Sequence, residues 1–180
     1  MTDKLIMAGF GGQGVMLMGE LLAYGAMRQK KEVTFMPSYG PEMRGGTANC
    51  SVIISDAPIS SPIVENPTVL IAMNGPSLAK FEQAVSPGGL IFYNDSLFHP
   101  SEARDDVDYI PVDCVRIARE VQSEKVSNMV MLGAVIRRTG ILSEESVASA
   151  IVSKFSGDKE NFIPVNKKAL AAWQCLEKAG

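Results

Sequence analysis

Short unbroken apolar runs alternate along this chain with longer stretches in which apolar residues recur every three or four positions. The first rhythm belongs to buried strands, the second to helices with one buried face. Residues 4–9, KLIMAG, read as a short buried strand. Residues 13–29 read as a helix, with Val15, Met18, Leu21, Leu22 and Ala26 at helical spacing. Strands follow at 32–36, EVTFM, and 47–54, TANCSVII, separated by the loop-like stretch PSYGPEMRGG at 37–46. Further strands are predicted at 69–74, 88–93 and 108–112, and helices near 76–84, 113–121, 127–139, 143–155 and 166–178. Ser143, ahead of Glu144 and Glu145, has the form of an N-cap with an acidic first turn. The segment 55–67 carries three prolines and reads as a surface excursion. Strands alternating with helices predict an α/β fold, Rossmann-like, with a mainly parallel sheet flanked by helices. At 180 residues the chain suits one domain, 1–180.

Residues 9–14, GFGGQG, place Gly9, Gly11 and Gly14 at the spacing GxGxxG between a predicted strand and a predicted helix. Glycine allows a tight turn and lets backbone approach a ligand without a Cβ in the way. The helix behind it offers unpaired N–H groups and the positive end of its dipole. An anion held at the helix N-terminus is one reading. A tight strand-to-helix turn with no ligand is the other. A nicotinamide dinucleotide site would also want an acidic residue at the end of the second strand, on the ribose hydroxyls. That strand ends Phe35-Met36-Pro37-Ser38, and its acid, Glu32, stands at the wrong end. The following loop sets Tyr39, Glu42 and Arg44 among turn residues at what would be the carboxyl edge of the sheet. Arg44 has the fork to grip a carboxylate or phosphate, although the same residues would serve a solvated turn.

Composition narrows the classes. Hydrophobic residues make up 46%, which argues for a folded core. A formal net charge of -3 gives no bulk positive field for nucleic acid or anionic lipid. No apolar run reaches the length of a membrane span, and the first residues lack the order of a signal peptide, so a cytoplasmic location is expected. Cys50, Cys114 and Cys175 are far apart and form no CxxC. They read as free buried thiols, and no metal site is expected from this chain alone. His99, beside Pro100 in a polar stretch, reads as a surface residue.

Together, GFGGQG at 9–14, PSYGPEMRGGTANCSV at 37–52 and SDAPISSPIV at 55–64 resemble the gamma subunit of 2-oxoacid:ferredoxin oxidoreductases. SNMVMLGAVIRRTGIL at 127–142 is similar to a later segment of that family, and the likeness runs from about residue 4 to 155. It is strongest to the 2-oxoglutarate and branched-chain (ketoisovalerate) enzymes, and the indolepyruvate enzyme shares the glycine loop. The resemblance implies an oxidoreductase of anaerobic metabolism that decarboxylates a 2-oxoacid on thiamine diphosphate. Iron–sulfur clusters pass the electrons to ferredoxin, and the acyl group leaves on coenzyme A. Thiamine diphosphate, magnesium and the clusters would sit on partners, namely thiamine-binding alpha and beta subunits and a ferredoxin-like subunit. Within this chain Gly157-Asp158-Lys159 only echoes a thiamine-diphosphate motif. The resemblance carries Gly11, Gly12, Gln13 and Gly14 over as ligand-loop residues on the coenzyme A side. Ser38, Tyr39, Gly40, Pro41, Glu42, Arg44, Gly45 and Gly46 carry over as a functional loop, and no catalytic residue is assigned. A non-catalytic assembly subunit and a stand-alone nucleotide-binding oxidoreductase are the alternatives.

Overall fold

A computed structural model describes residues 1–39 and 47–173. Its centre is a six-stranded sheet in the order β2-β3-β1-β4-β5-β6. The strands are β1 (Thr2–Phe10), β2 (Glu32–Tyr39), β3 (Thr47–Ser55), β4 (Val69–Ala72), β5 (Leu90–Asn94) and β6 (Asp108–Val112). β1, β4, β5 and β6 run parallel, and β3 lies antiparallel between β1 and β2. The expected mainly parallel sheet is therefore present, with one reversed strand. The reason is the length of the 40–46 connection. A parallel crossover needs roughly a dozen residues, so so short a link returns the chain as a hairpin.

Six helices are described: α1 (Val15–Arg28), α2 (Gly75–Phe81), α3 (Cys114–Glu120), α4 (Ser127–Thr139), α5 (Glu144–Lys154) and α6 (Ile163–Ala172). They are unevenly shared between the faces of the sheet. α1 lies on β1, β2 and β3, and α4 on β5 and β6. α5 and α6 form a further layer, α5 against α1 and α6 against α4. Between them lies the main core, with Leu5, Met7, Met18, Leu22, Ile54, Ile71, Phe92, Met129 and Leu132 fully buried. α2 covers the other face, where Ile6, Leu70, Ala72, Leu78, Val85, Ile91 and Val107 make a smaller core.

α4 is buried from Asn128 to Ile136, as a helix apolar on nearly every side must be. Ser143 caps α5 through the amide of Ser146, with Glu144 and Glu145 in the first turn as expected. Most boundaries differ from the sequence reading by one to three residues, and two of the differences have a clear cause. β2 continues through Pro37 and Ser38 to Tyr39, because β2 is an edge strand and an edge tolerates the N–H that proline lacks. The last helix starts at Ile163, with Pro164 in the first turn where a missing N–H costs nothing, and Trp173 is the last described residue beyond it. Among the described residues no helix is long and apolar enough to cross a membrane.

α4 and α6 meet at Gly133. A Cβ there would run into the backbone carbonyl oxygen and carbon of Leu170. Alanine is the better helix former by about 1 kcal/mol. Overpacking a core costs typically about 1–3 kcal/mol, and backbone cannot rotate aside as a side chain does. So close an approach to backbone puts the cost in the upper part of that range, about 2–3 kcal/mol, so Gly133→Ala should destabilise the fold by a net ~1–2 kcal/mol, read from the midpoint of denaturant unfolding. Wild-type stability would mean that α6 can lift away from α4 at little cost.

Candidate functional site

The carboxyl ends of the parallel strands share one edge of the sheet. After β1 the chain enters α1 and crosses the main-core face toward β2. After β4 it enters α2 and crosses the other face toward β5. The crevice between the ends of β1 and β4 is therefore the point where the winding reverses, the usual place for a ligand in an open α/β sheet. The glycine loop lies there.

Its glycines have distinct tasks. Gly9 is buried at the end of β1, and a Cβ on it would press on Gln13, Val15 and Met73. Gly12 is exposed with φ +96°, a conformation that favours glycine, and a Cβ there would have open space around it. Gly11 is exposed beside it. Gly14 is the N-cap of α1 with φ 73°, and its missing Cβ makes room for the side-chain amide of Asn128 in α4. The Asn128 Nδ2 donates to the Gly14 carbonyl at 3.4 Å. No side chain caps α1 and its first turn holds no acid, so its first amides have no side-chain acceptor and the positive end of its dipole has no acidic partner in that turn.

Gln13 points inward. Its Oε1 accepts from the Phe10 amide at 2.7 Å and from the Asn74 Nδ2 at 3.1 Å. Its Nε2 donates to the Met73 carbonyl at 3.2 Å. The side chain thus bridges the ends of β1 and β4.

The second predicted feature is described only at its ends. Ser38 and Tyr39 close β2 opposite Asn49 and Ala48, while Phe10 closes β1 opposite Thr47. The strand ends that flank residues 40–46 therefore lie at the same edge of the sheet as the start of the glycine loop. Gly40, Pro41, Glu42, Arg44, Gly45 and Gly46 lie outside the described residues, as does Cys175. Ser38 and Tyr39 belong to the strand rather than to the loop.

The remaining candidate chemistry sorts simply. Cys50 and Cys114 are buried free thiols. Burial pushes Cys50 up to about 12 and raises Cys114 as well, so both stay protonated near neutrality. His99 is exposed, with Nδ1 3.0 Å from a carboxylate oxygen of Asp95. Among the described residues no three His, Cys, Asp or Glu side chains gather as a metal site. Glu32 is exposed at the far end of β2, and β3 separates that strand from β1. A carboxylate on β2 therefore has no route to a ribose at the glycine loop.

Two residues escaped the sequence reading. Asn74 follows β4 and caps α2 by accepting from the Ser77 amide at 2.9 Å. The sequence Asn74-Gly75-Pro76 carries a recognisable cap signal, an asparagine before a proline in the first turn. Asn128 is the one polar residue in the buried run of α4. Its contact with Gly14 joins positions 114 residues apart, which no local pattern encodes.

Comparison with known proteins agrees with this architecture. Residues 4–172 match the model of the family described as pyruvate ferredoxin/flavodoxin oxidoreductase. The chain is 42% identical over 171 residues to the ketoisovalerate oxidoreductase subunit VorA of Methanothermobacter marburgensis, spanning 94% of this chain and 35% of that one. It thus spans about a third of the length of the VorA proteins it matches. It is 36% identical over 155 residues to the 2-oxoglutarate synthase subunit KorC of Methanocaldococcus jannaschii, spanning 84% of this chain and 83% of that one. Among solved structures, the gamma subunit of a keto/oxoacid ferredoxin oxidoreductase from Geobacter sulfurreducens superposes with a TM-score of 0.83 at 28% identity, over 99% of both chains. A 2-oxoglutarate:ferredoxin oxidoreductase from Magnetococcus marinus, with 2-oxoglutarate, coenzyme A and succinyl-CoA bound, superposes with a TM-score of 0.89 at 26% identity, over 99% of this chain and 31% of that one. A six-stranded sheet wound about an uncapped glycine loop, matched along nearly its whole length, makes this chain a member of the pyruvate ferredoxin/flavodoxin oxidoreductase family.

Proposed function

We propose that this chain is a gamma-type subunit, one domain over its length, of a multi-subunit 2-oxoacid:ferredoxin oxidoreductase. Its glycine loop holds a phosphate of coenzyme A during conversion of a 2-oxoacid, of the 2-oxoglutarate or branched-chain class, to the acyl-CoA. The observation that carries this reading is the exposed Gly11-Gly12 pair beside the uncapped, acid-free N-terminus of α1, at the point where the winding of the sheet reverses. The Magnetococcus relative, which holds coenzyme A and succinyl-CoA, supports the choice of ligand.

In such a complex thiamine diphosphate with its magnesium would supply the decarboxylation, and iron–sulfur clusters the electron transfer to ferredoxin. The described residues fit neither group. The two described cysteines are separate buried thiols, and no acidic or histidine cluster is present among the described residues. Those groups belong to thiamine-binding alpha and beta subunits and a ferredoxin-like subunit, in a complex of the cytoplasm. The work left to this chain is binding. Its backbone amides offset the charge of a phosphate, and the ligand's thiol is left to reach a partner's active centre. Gln13 serves the loop from behind, with its amide turned toward β4.

Gly11→Asp sets a carboxylate at an exposed position against the bound phosphate. In the assembled complex it should raise the KM for coenzyme A about tenfold or more, leaving the KM for the 2-oxoacid and the thermal midpoint near wild type. Gly14→Ala should instead cost stability of about 1–3 kcal/mol, since it combines a positive φ with a collision at Asn128. Equal KM values for coenzyme A in a folded Gly11→Asp complex would remove the phosphate site. Assayed alone with a 2-oxoacid, coenzyme A, thiamine diphosphate and a dye acceptor, the purified chain should show no turnover. Any turnover above background would refute its role as a dependent subunit.

The strand ends that flank residues 40–46 lie beside the glycine loop, and we assign Arg44 and Glu42 to the edge shared with the thiamine-binding partner. Arg44→Ala should preserve the fold. If its contact is desolvated, it should weaken assembly or turnover by about 2 kcal/mol or more, and by much less on a wet rim. Unchanged complex affinity and turnover in the folded variant would reduce the loop to a turn.

A further inference from the structure

A loop of exposed glycines has many conformations open to it, and a ligand that must order it loses affinity in doing so. Within Phe10–Gly14 one backbone bond constrains the turn, from the Gln13 amide to the Phe10 carbonyl at 3.1 Å. The other constraints come from side chains. Gln13 Oε1 receives the Phe10 amide, which fixes the start of the loop, and Gln13 Nε2 grips the Met73 carbonyl. What orients the Gln13 amide is Asn74. This residue is 5% exposed, and its Nδ2 donates to Gln13 Oε1 at 3.1 Å. Asn74 is itself held, because its Oδ1 accepts from the Ser77 amide.

These bonds form a chain from the cap of α2, across the crevice, to the first amide of the glycine loop. We propose that Asn74 is a positioning residue for coenzyme A: acting through Gln13, it holds the glycine loop in the shape that presents Gly11 and Gly12 to the phosphate. This rests on the reading of that loop as the coenzyme A site. The rival account is that Asn74 caps α2 and does nothing else. The two accounts separate because the cap uses Oδ1 and the brace uses Nδ2.

Asn74→Ser retains a cap acceptor, adds no charge, and is too short to reach Gln13. Asn74→Asp retains the cap more strongly but turns an acceptor toward Gln13 Oε1, and serves as a second variant should the serine assemble poorly. Both are made in the full complex, in the wild-type and Gln13→Ala backgrounds. Coenzyme A binding is measured by calorimetry without 2-oxoacid, together with kinetics and amide hydrogen exchange at residues 10–15. Asn74→Ser should raise the Kd for coenzyme A about fivefold to tenfold, the scale of one lost hydrogen bond. It should speed exchange in the loop and leave the KM for the 2-oxoacid alone. In the Gln13→Ala background the same substitution should change coenzyme A binding little, because the residue it acts through is gone.

A wild-type Kd in Asn74→Ser, alongside a weakened Gly11→Asp complex, would overturn the positioning role and leave the coenzyme A site standing. Wild-type Kd values in both would remove the site and the proposal together. Equal losses in both backgrounds would show that Asn74 acts without Gln13, and would also overturn it.

Discussion

The organisation of this molecule depends on one short connection. Residues 40–46 are too few to carry the chain over a face of the sheet, so β3 must turn back beside β2. The returning strand then occupies the place next to β1 that the second strand of a dinucleotide-binding fold would take. Two consequences follow from that displacement. The hairpin end and the glycine loop are brought to the same edge, with Phe10 opposite Thr47 and Tyr39 opposite Ala48. The carboxylate of Glu32 is removed to the opposite end of an edge strand, away from any sugar bound near β1. The fold keeps a glycine loop at one corner, the carboxyl end of β1, and places no carboxylate of β2 beside it.

That corner is firm behind and open in front. Behind it, α4 brings Asn128 into the space that the absent Cβ of Gly14 leaves, so the loop is tied to the most deeply buried helix of the main core. Beside it, Gln13 and Asn74 bind the end of β1 to the end of β4. In front, Gly11 and Gly12 face solvent. A site built this way has its ordering cost met during folding, and ligand contacts need not meet it again. The position of Gln13 also shows that this motif glutamine is turned away from the open side of the loop, since its oxygen already accepts two hydrogen bonds.

The two faces of the sheet are unequal. Helices stack in two layers over one face, whereas the other has α2 and the segment that follows β3. That segment is tied at its start, where Asp56 meets Lys31 at 2.7 Å and the N-terminal ammonium at 2.9 Å, and these two cations lower its carboxyl to about 2. Over β1 and β2 the face leaves Phe10 and Met36 more than a third exposed. Parallel sheets are ordinarily covered on both faces, so this side is the more open one.

Much of this was legible in the sequence. The apolar rhythms located each strand and each α-helix of the described residues to within a few residues, the predicted end of the last helix lying outside them, because 3.6- and 2-residue periods are local properties. The cap at Ser143 and the strand–loop–helix context of GFGGQG were legible for the same reason. The end of β2 was not, because Pro37 signals a break unless its strand is known to lie at an edge. Nor were the partners of the glycine loop. Asn74 and Gln13 are 61 residues apart, and Asn128 and Gly14 are 114 apart. The sequence by itself determined which segments form strands and helices and that a glycine turn joins β1 to α1. The tertiary structure alone decided that the returning strand inserts between β2 and β1, and which side chains brace the loop. Both depend on how distant elements stack against one another, and one chain's local pattern does not specify that.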